Sequence, residues 1–237
     1  MTNPSHHPEP GWFDRLPTDR CIAEFSVWSA DLLNIGADLK RIDAHADLLH
    51  IDVADGHFAP AFLFFPDLLA RVRAASRVPV HVHLMVSDAI LAAQIDQFAD
   101  AGADLITLHA ECASVASGAL DHVRRRGCLA GLVLRVETPV AALAPYLDQI
   151  DCITLLGTSI GVKGKGLHDD ALDRLRAVRA MIAAAGKTGR IRLIADGGIR
   201  HETVPLLRQA GAEGVVLGSL AFGDADLDAR MAWLARQ

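Results

Sequence analysis

Ile22-Ala23-Glu24-Phe25-Ser26-Val27-Trp28-Ser29-Ala30-Asp31 is the stretch on which the fold turns. Ile22–Val27 has strand length and is the first of eight strand candidates. A doubly wound sheet that binds a dinucleotide carries a Gly-rich phosphate loop directly after its first strand. Here that place is taken by Trp28-Ser29-Ala30-Asp31, with no such loop. Further strands are expected at Leu48–Val53, Val80–Leu84, Leu105–His109, Ala130–Val136, Cys152–Leu156, Ile191–Ala195 and Gly214–Leu217. Most are near-continuous apolar runs, as strands buried on both faces of a parallel sheet are. Helically spaced segments separate them, for example Leu68, Leu69 and Val72, or Leu172, Leu175, Val178 and Ile182. Ala101-Gly102-Ala103-Asp104 and Ala210-Gly211-Ala212-Glu213 recur just before strands, where Gly caps a helix C-terminus. The Gly-rich segments follow the sixth, seventh and eighth strands, and a barrel commonly places its phosphate site after its last strands. The expected fold class is therefore α/β, a single (β/α)8 TIM barrel.

The bulk properties agree with one such domain. The chain has 237 residues, 51% of them hydrophobic, close to the roughly 250 residues typical of a single barrel. No Pro/Gly/Ser-rich linker divides it, so residues 21–237 are expected to form the catalytic domain and 1–20 a polar, Pro-rich N-terminal arm. His6 and His7 in that arm are read as tail residues rather than metal ligands. The formal net charge is −6 and no basic block stands out, which argues against nucleic acid or an anionic membrane surface as partner. Arg124-Arg125-Arg126 before Gly127 suits a helix C-terminus, where the dipole favours cations. Cys21, Cys112, Cys128 and Cys152 are scattered, which fits reduced thiols in a cytosolic protein. The N-terminus lacks the features of a signal or transit peptide, and no apolar run approaches the ~18 residues of a membrane span. A cytoplasmic enzyme acting on a small molecule is expected.

The chemistry is carried by strand ends. In Leu49-His50-Ile51-Asp52-Val53-Ala54-Asp55-Gly56, His50 and Asp52 share one strand face, and Asp55-Gly56 makes the turn. Polar side chains inside a small barrel are costly unless they bind something. His81 and His83 share a face of the third strand, with His83 nearer the C-terminal end where barrels place their chemistry. Asp196-Gly197-Gly198 closes the seventh strand. His50, Asp52, His83 and Asp196 make an N2O2 donor set that suits Zn²⁺, Mn²⁺, Fe²⁺ or Co²⁺. A lone strand-end His is usually a hydrogen-bonded core residue, and a lone Asp before Gly a turn residue. Four together are harder to dismiss. Gly197-Gly198 and Gly218-Ser219, following the last two strands, let backbone N–H groups approach a phosphate.

These segments resemble the ribulose-phosphate 3-epimerase family. The resemblance rests on Ser26-Val27-Trp28-Ser29-Ala30-Asp31, His50 through Pro60, Val82-His83-Leu84-Met85, Asp196-Gly197-Gly198 and Gly218-Ser219-Leu220-Ala221-Phe222-Gly223, and runs from about Ser26 to Gly223. It implies one divalent metal held by His50, Asp52, His83 and Asp196, with Asp52 and Asp196 as the acid–base pair. It also implies substrate contact by Ser26 and His83, phosphate binding by Gly197, Gly198, Gly218 and Ser219, and a homo-oligomer. Inverting the carbon beside a ketone removes a proton from one face and returns one to the other, so two carboxylates can each serve as base in one direction. The intermediate is an enediolate, whose charge a Lewis-acidic ion stabilises. The expected activity is C3 epimerisation of a ketose phosphate of the ribulose 5-phosphate/xylulose 5-phosphate type.

Three departures from the family pattern stand out. Ala54 and Leu156 replace methionines, leaving Met85. Ser159-Ile160-Gly161-Val162-Lys163-Gly164-Lys165 replaces a loop like Asn-Pro-Gly-Phe-Gly-Gly-Gln, keeping Gly161 and Gly164 and adding Lys163 and Lys165. Arg135-Val136-Glu137-Thr138-Pro139 replaces Asn-Pro-Gly-Thr-Pro. All three are expected to line the substrate end, which opens the alternative of a hexulose 6-phosphate or tetrulose phosphate substrate. The loop lysines are candidates for an anionic group, against the plain reading of two solvated side chains. Two other classes compete. A sugar-phosphate decarboxylase or aldolase would show Asp-x-Lys-x-x-Asp, but Asp52-Val53-Ala54-Asp55 has no Lys. A non-catalytic phosphosugar-binding barrel would have no need of the paired carboxylates.

Overall fold

The computed structural model describes residues 7–237, so the first six residues of the expected arm, His6 among them, lie outside the described residues. The strands are β1 (Ile22–Ser26), β2 (Leu48–Ala54), β3 (Val80–Met85), β4 (Leu105–His109), β5 (Leu129–Leu134), β6 (Cys152–Leu156), β7 (Arg192–Asp196) and β8 (Gly214–Leu217). Each pairs in parallel with the next and β8 pairs with β1, closing the barrel. Helices α1 (Ile35–Ile42), α2 (Pro66–Ala75), α3 (Asp88–Ala101), α4 (Ala116–Arg125), α5 (Ala171–Ala184) and α6 (Thr203–Gln209) form crossovers, and α7 (Ser219–Phe222) and α8 (Leu227–Leu234) follow β8. The chain is a single (β/α)8 TIM barrel.

The local chemistry explains where the elements begin and end. Gly102, at φ 104°, caps α3, with its N–H and that of Ala103 returning to Ala99 and Phe98. Arg124 and Arg125 occupy the last turn of α4. The β5–β6 crossover departs from the helical pattern: Val140–Tyr146 is a 3-10 helix with Pro145 inside it, because proline offers no N–H to an α-helical ladder. β5 stops at Leu134, short of the expected Val136. The N–H of Arg135 donates to Glu111 Oε1 instead of continuing the sheet.

Outward strand residues such as Phe25, Ile51, Val82, Leu132 and Ile153 pack against helix residues including Leu39, Leu69, Ile95, Phe98 and Leu120. Inside the barrel the filling changes along its axis. Toward the N-terminal ends of the strands, Ile22, Leu48, Leu105, Cys152, Ile194 and Val216 form an apolar plug that also takes in Trp12, Phe13 and Leu16. Above it the buried side chains turn polar: Glu24, His50, His81, Thr107, Thr154, then Ser26, Asp52, His83 and His109. Interior barrel layers are ordinarily bulky and apolar, so this polar column sets the C-terminal half of the barrel apart from the rest. All four cysteines are free and buried, and burial pushes the Cys128 thiol up to about 12.

Candidate active site

Strand register assembles the site. Ser26 on β1 is level with His50 on β2, and Asp52 on β2 is level with His83 on β3. Asp196, the last residue of β7, is level with Leu156. His50, Asp52, His83 and Asp196 can each present one ligand atom so that all lie within 4.8 Å of one another. His50 Nε2 is 3.2 Å from Asp52 Oδ1 and 4.0 Å from Asp196 Oδ2. His83 Nδ1 is 3.5 Å from Asp52 Oδ1 and 4.0 Å from Asp196 Oδ2. That nitrogen is buried with no hydrogen-bond partner. Such an atom is costly to leave unsatisfied. With two imidazole nitrogens and two carboxylates converging, the donor set fits a divalent cation.

The two carboxylates differ in environment. Burial raises Asp52, but His50 and His83 outweigh it and hold the carboxyl well below the usual range. Ser26 Oγ donates to its Oδ2 at 2.8 Å. Asp196 moves the other way. Burial pushes it up to about 6, with the Asp52 charge adding and the two histidines opposing. A pair of carboxyls driven apart in this way is suited to opposite acid and base roles. For His50, burial disfavours the charged ring, yet Asp52 and Glu24 on either side raise its pKa well above the ordinary value.

Ser26, Asp52, His83, Gly161, Lys163, Gly164, Lys165, Asp196, Gly197, Gly198, Gly218 and Ser219 all line one cavity of about 340 Å3. His50 lies beneath it, fully buried. Gly197 and Gly198 have φ of +86° and +70°. A Cβ on Gly197 would sit 2.4 Å from Thr158 Oγ1, and one on Gly198 would sit 2.9 Å from Leu167 Cα. Glycine is therefore required by both backbone conformation and space. The loop after β6 crosses the mouth: Gly161 packs near Ala59 and Pro60, and Lys163 Nζ donates to Trp28 O at 2.6 Å while lying 4.3 Å from the Trp28 ring centroid. Burial lowers the Lys163 pKa, opposed by the charge of Asp52.

One expectation needs correction. Leu156 and Met85 line the cavity, but Ala54 and Arg135 do not. Ala54 packs with Ala59 and Met85. Arg135 turns back to the loop after β2, donating from Nη2 to Phe58 O and stacking on the Phe58 ring with its guanidinium carbon 4.1 Å from the centroid. It organises the wall rather than facing the cavity.

Several residues escaped the sequence reading. Glu24 Oε1 lies 2.6 Å from His50 Nδ1 and 2.5 Å from His81 Nδ1. The His81 and His50 charges outweigh burial and bring Glu24 down to about 2. His109 Nε2 is 2.9 Å from His83 Nε2, and His109 Nδ1 is 3.0 Å from Glu111 Oε2. Burial lowers His109 to about 4. A signal for the second pair was present: His109-Ala110-Glu111 repeats, at the end of β4, the His-x-acid spacing of His50-Ile51-Asp52. Arg200 also lines the cavity, directly after the Gly197-Gly198 turn.

Paired carboxylates beside two histidines thus converge at the C-terminal mouth of a barrel, on a cavity of small-molecule size. The profile of the ribulose-phosphate 3 epimerase family matches residues 22–222. The ribulose-phosphate 3-epimerase of Bacillus subtilis is 34% identical over 85% of this chain and 92% of its own length. That of Escherichia coli K12 is 36% identical over 85% of this chain and 88% of its own. This chain belongs to the ribulose-phosphate 3-epimerase family and is an isomerase, an epimerase. Solved structures share the fold at low identity. The 3-keto-L-gulonate-6-phosphate decarboxylase of Vibrio cholerae has a TM-score of 0.66 at 14% identity, covering 91% of this chain and 99% of its own. 3-Hexulose-6-phosphate synthase has 0.63 at 18%, covering 90% and 98%. Among the described residues, no helix is long and apolar enough to cross a membrane.

Proposed function

We propose that this enzyme is a metal-dependent epimerase that inverts C3 of a ketose phosphate of the ribulose 5-phosphate/xylulose 5-phosphate type. The observation that carries the reading is the convergence of His50, Asp52, His83 and Asp196 within 4.8 Å, with the two carboxyls driven apart in pKa. His50, Asp52, His83 and Asp196 would hold a Zn²⁺, Mn²⁺, Fe²⁺ or Co²⁺ ion. When bound, that ion supplies Lewis-acid stabilisation of negative charge developing on the substrate.

The chain's own groups do the rest. One of Asp52 and Asp196 removes the C3 proton from one face, and the other, protonated, returns a proton to the opposite face; the roles exchange in the reverse direction. Ser26 keeps Asp52 oriented through its hydroxyl and lies on the cavity wall within reach of substrate. Gly197, Gly198, Gly218 and Ser219 bind the phosphate through backbone N–H groups. The β6 loop, with Gly161, Lys163, Gly164 and Lys165, covers the bound sugar and excludes water. The departures of Leu156 and of the β6 loop from the family pattern, both on the cavity wall, support a second reading of the substrate alone, a hexulose 6-phosphate or tetrulose phosphate.

The deciding experiment is solvent-proton exchange in deuterated water across a panel of ketose phosphates, with metal stripped and added back. Deuterium should enter at C3 with inversion, only with metal present. His83→Ala should lose metal affinity. Full exchange by the stripped protein, or unchanged metal stoichiometry and affinity in His83→Ala, would overturn the reading.

A further inference from the structure

The two metal-facing histidines present different nitrogens: Nε2 of His50 and Nδ1 of His83 point toward Asp52 and Asp196. A neutral imidazole ligates through its bare nitrogen, so the two rings need opposite tautomers. The surroundings specify both. Glu24 Oε1, 2.6 Å from His50 Nδ1, is a carboxylate oxygen and accepts. The Nδ1 proton is therefore fixed by Glu24, and Nε2, 3.2 Å from Asp52 Oδ1, is the nitrogen that gives up its proton to a cation. His83 is set through a longer chain. Glu111 Oε2 accepts from His109 Nδ1 at 3.0 Å, which leaves His109 Nε2 bare. That nitrogen, 2.9 Å from His83 Nε2, can only accept, so His83 carries its proton on Nε2. His83 Nδ1 is left bare, buried and without a partner, facing the carboxylates. Glu111 is itself pinned, because its Oε1 accepts from the N–H of Arg135 at 3.0 Å and from the hydroxyl of Thr138.

We propose that Glu24 on one side, and His109 with Glu111 on the other, are positioning residues that impose opposite tautomers on His50 and His83 and so aim one bare nitrogen from each at a divalent cation. This rests on the metal-site reading of the same cluster. Partners of ligand histidines commonly influence metal affinity about 10–100-fold. The geometry here adds a sharper distinction. In Glu111→Gln, the amide oxygen stays with Arg135 and Thr138, so the NH2 faces His109 Nδ1 and donates. Every proton in the chain then reverses, and His83 presents an N–H to the cation. In Glu24→Gln, an oxygen can still accept from both His50 and His81, because Glu24 Oε2 has no partner to hold the amide in the other orientation.

The test uses zinc as the probe. Zn²⁺ affinity is measured by chelator competition for the wild-type protein, Glu111→Gln and Glu24→Gln. Imidazole ¹⁵N shifts of the zinc-loaded wild type report which nitrogen of each ring is bound. The expected result is ligation through Nε2 of His50 and Nδ1 of His83. Glu111→Gln should lose about 10–100-fold in affinity, and Glu24→Gln clearly less. Thermal unfolding of the two variants should not follow that order, as it would if both were only structural. Zinc bound through His83 Nε2 or His50 Nδ1, or wild-type affinity in folded Glu111→Gln, would overturn the proposal. If Glu111→Gln does not fold, the wild-type ligation pattern still decides. No zinc uptake by the wild type would instead overturn the metal-site reading itself.

Discussion

The strand ends and the loops of the same barrel mouth work in different ways. At the ends of β1 to β4 and β7, the proposed chemistry resides in side chains whose positions are set by strand register and by buried hydrogen bonds: Ser26 on Asp52, Glu24 on His50, His109 on His83. In the loops after β6 and β7, where we place the phosphate, it resides in backbone. The shape there depends on glycines with positive φ at 161, 164, 197 and 198 and on close packing against Leu167, Thr158 and Pro60. The first region tolerates little chemical change and the second little steric change. The first should govern turnover and metal binding, the second binding of the substrate's anionic end.

The largest effect should come from the strand ends. Asp52→Asn and Asp196→Asn should each lower kcat by about 10²- to 10⁴-fold, as loss of a positioned acid or base does. Proton exchange restricted to one face in either mutant would identify which face each carboxylate serves. Both mutants turning over near the wild-type rate would end the two-carboxylate mechanism and with it the contrast.

An intermediate effect is expected in the glycine turn. Gly198→Ala places a side chain at φ +70° with its Cβ 2.9 Å from Leu167 Cα. The left-handed backbone alone costs about 1–2 kcal/mol for a non-glycine residue, visible as a lower unfolding midpoint. KM should rise more than kcat falls, because the change displaces the anion cradle rather than the acid–base pair. A kcat loss as large as that of Asp196→Asn, with KM unchanged, would erase the division between the two regions.

The smallest effect belongs to the β6 loop. Lys163 donates to Trp28 O across the mouth and has no carboxylate partner among the described residues. Lys163→Ala and Lys165→Ala should raise KM for the true substrate modestly, with little change in kcat, as loss of uniform binding does. Unchanged KM in both would make them solvated loop residues. Any altered specificity would then rest with Leu156 or Arg200, which line the same cavity.

The sequence alone was enough to identify the barrel, the family and the four residues, His50, Asp52, His83 and Asp196, that converge at its mouth. Apolar strands alternating with helical segments imply a parallel sheet, the lack of a Gly-rich loop after the first strand favours its closed form, and period-two alternation places His50 with Asp52 and His83 with His81 whatever the rest of the chain does. Tertiary structure alone decided which nitrogen of each histidine is free. That depends on Glu24, 26 residues before His50, and on His109, 26 residues after His83, which meet their partners only where neighbouring strands pair, β1 with β2 and β3 with β4. It also decided that Arg135 turns away to Phe58 and that Lys163 spans the mouth to Trp28. Strand periodicity is a local property of the backbone and can be read from one segment. A proton's position on an imidazole, or the direction of a long side chain in a loop, is set by whichever group distant in sequence lies within about 3 Å, and only the folded chain brings those groups together.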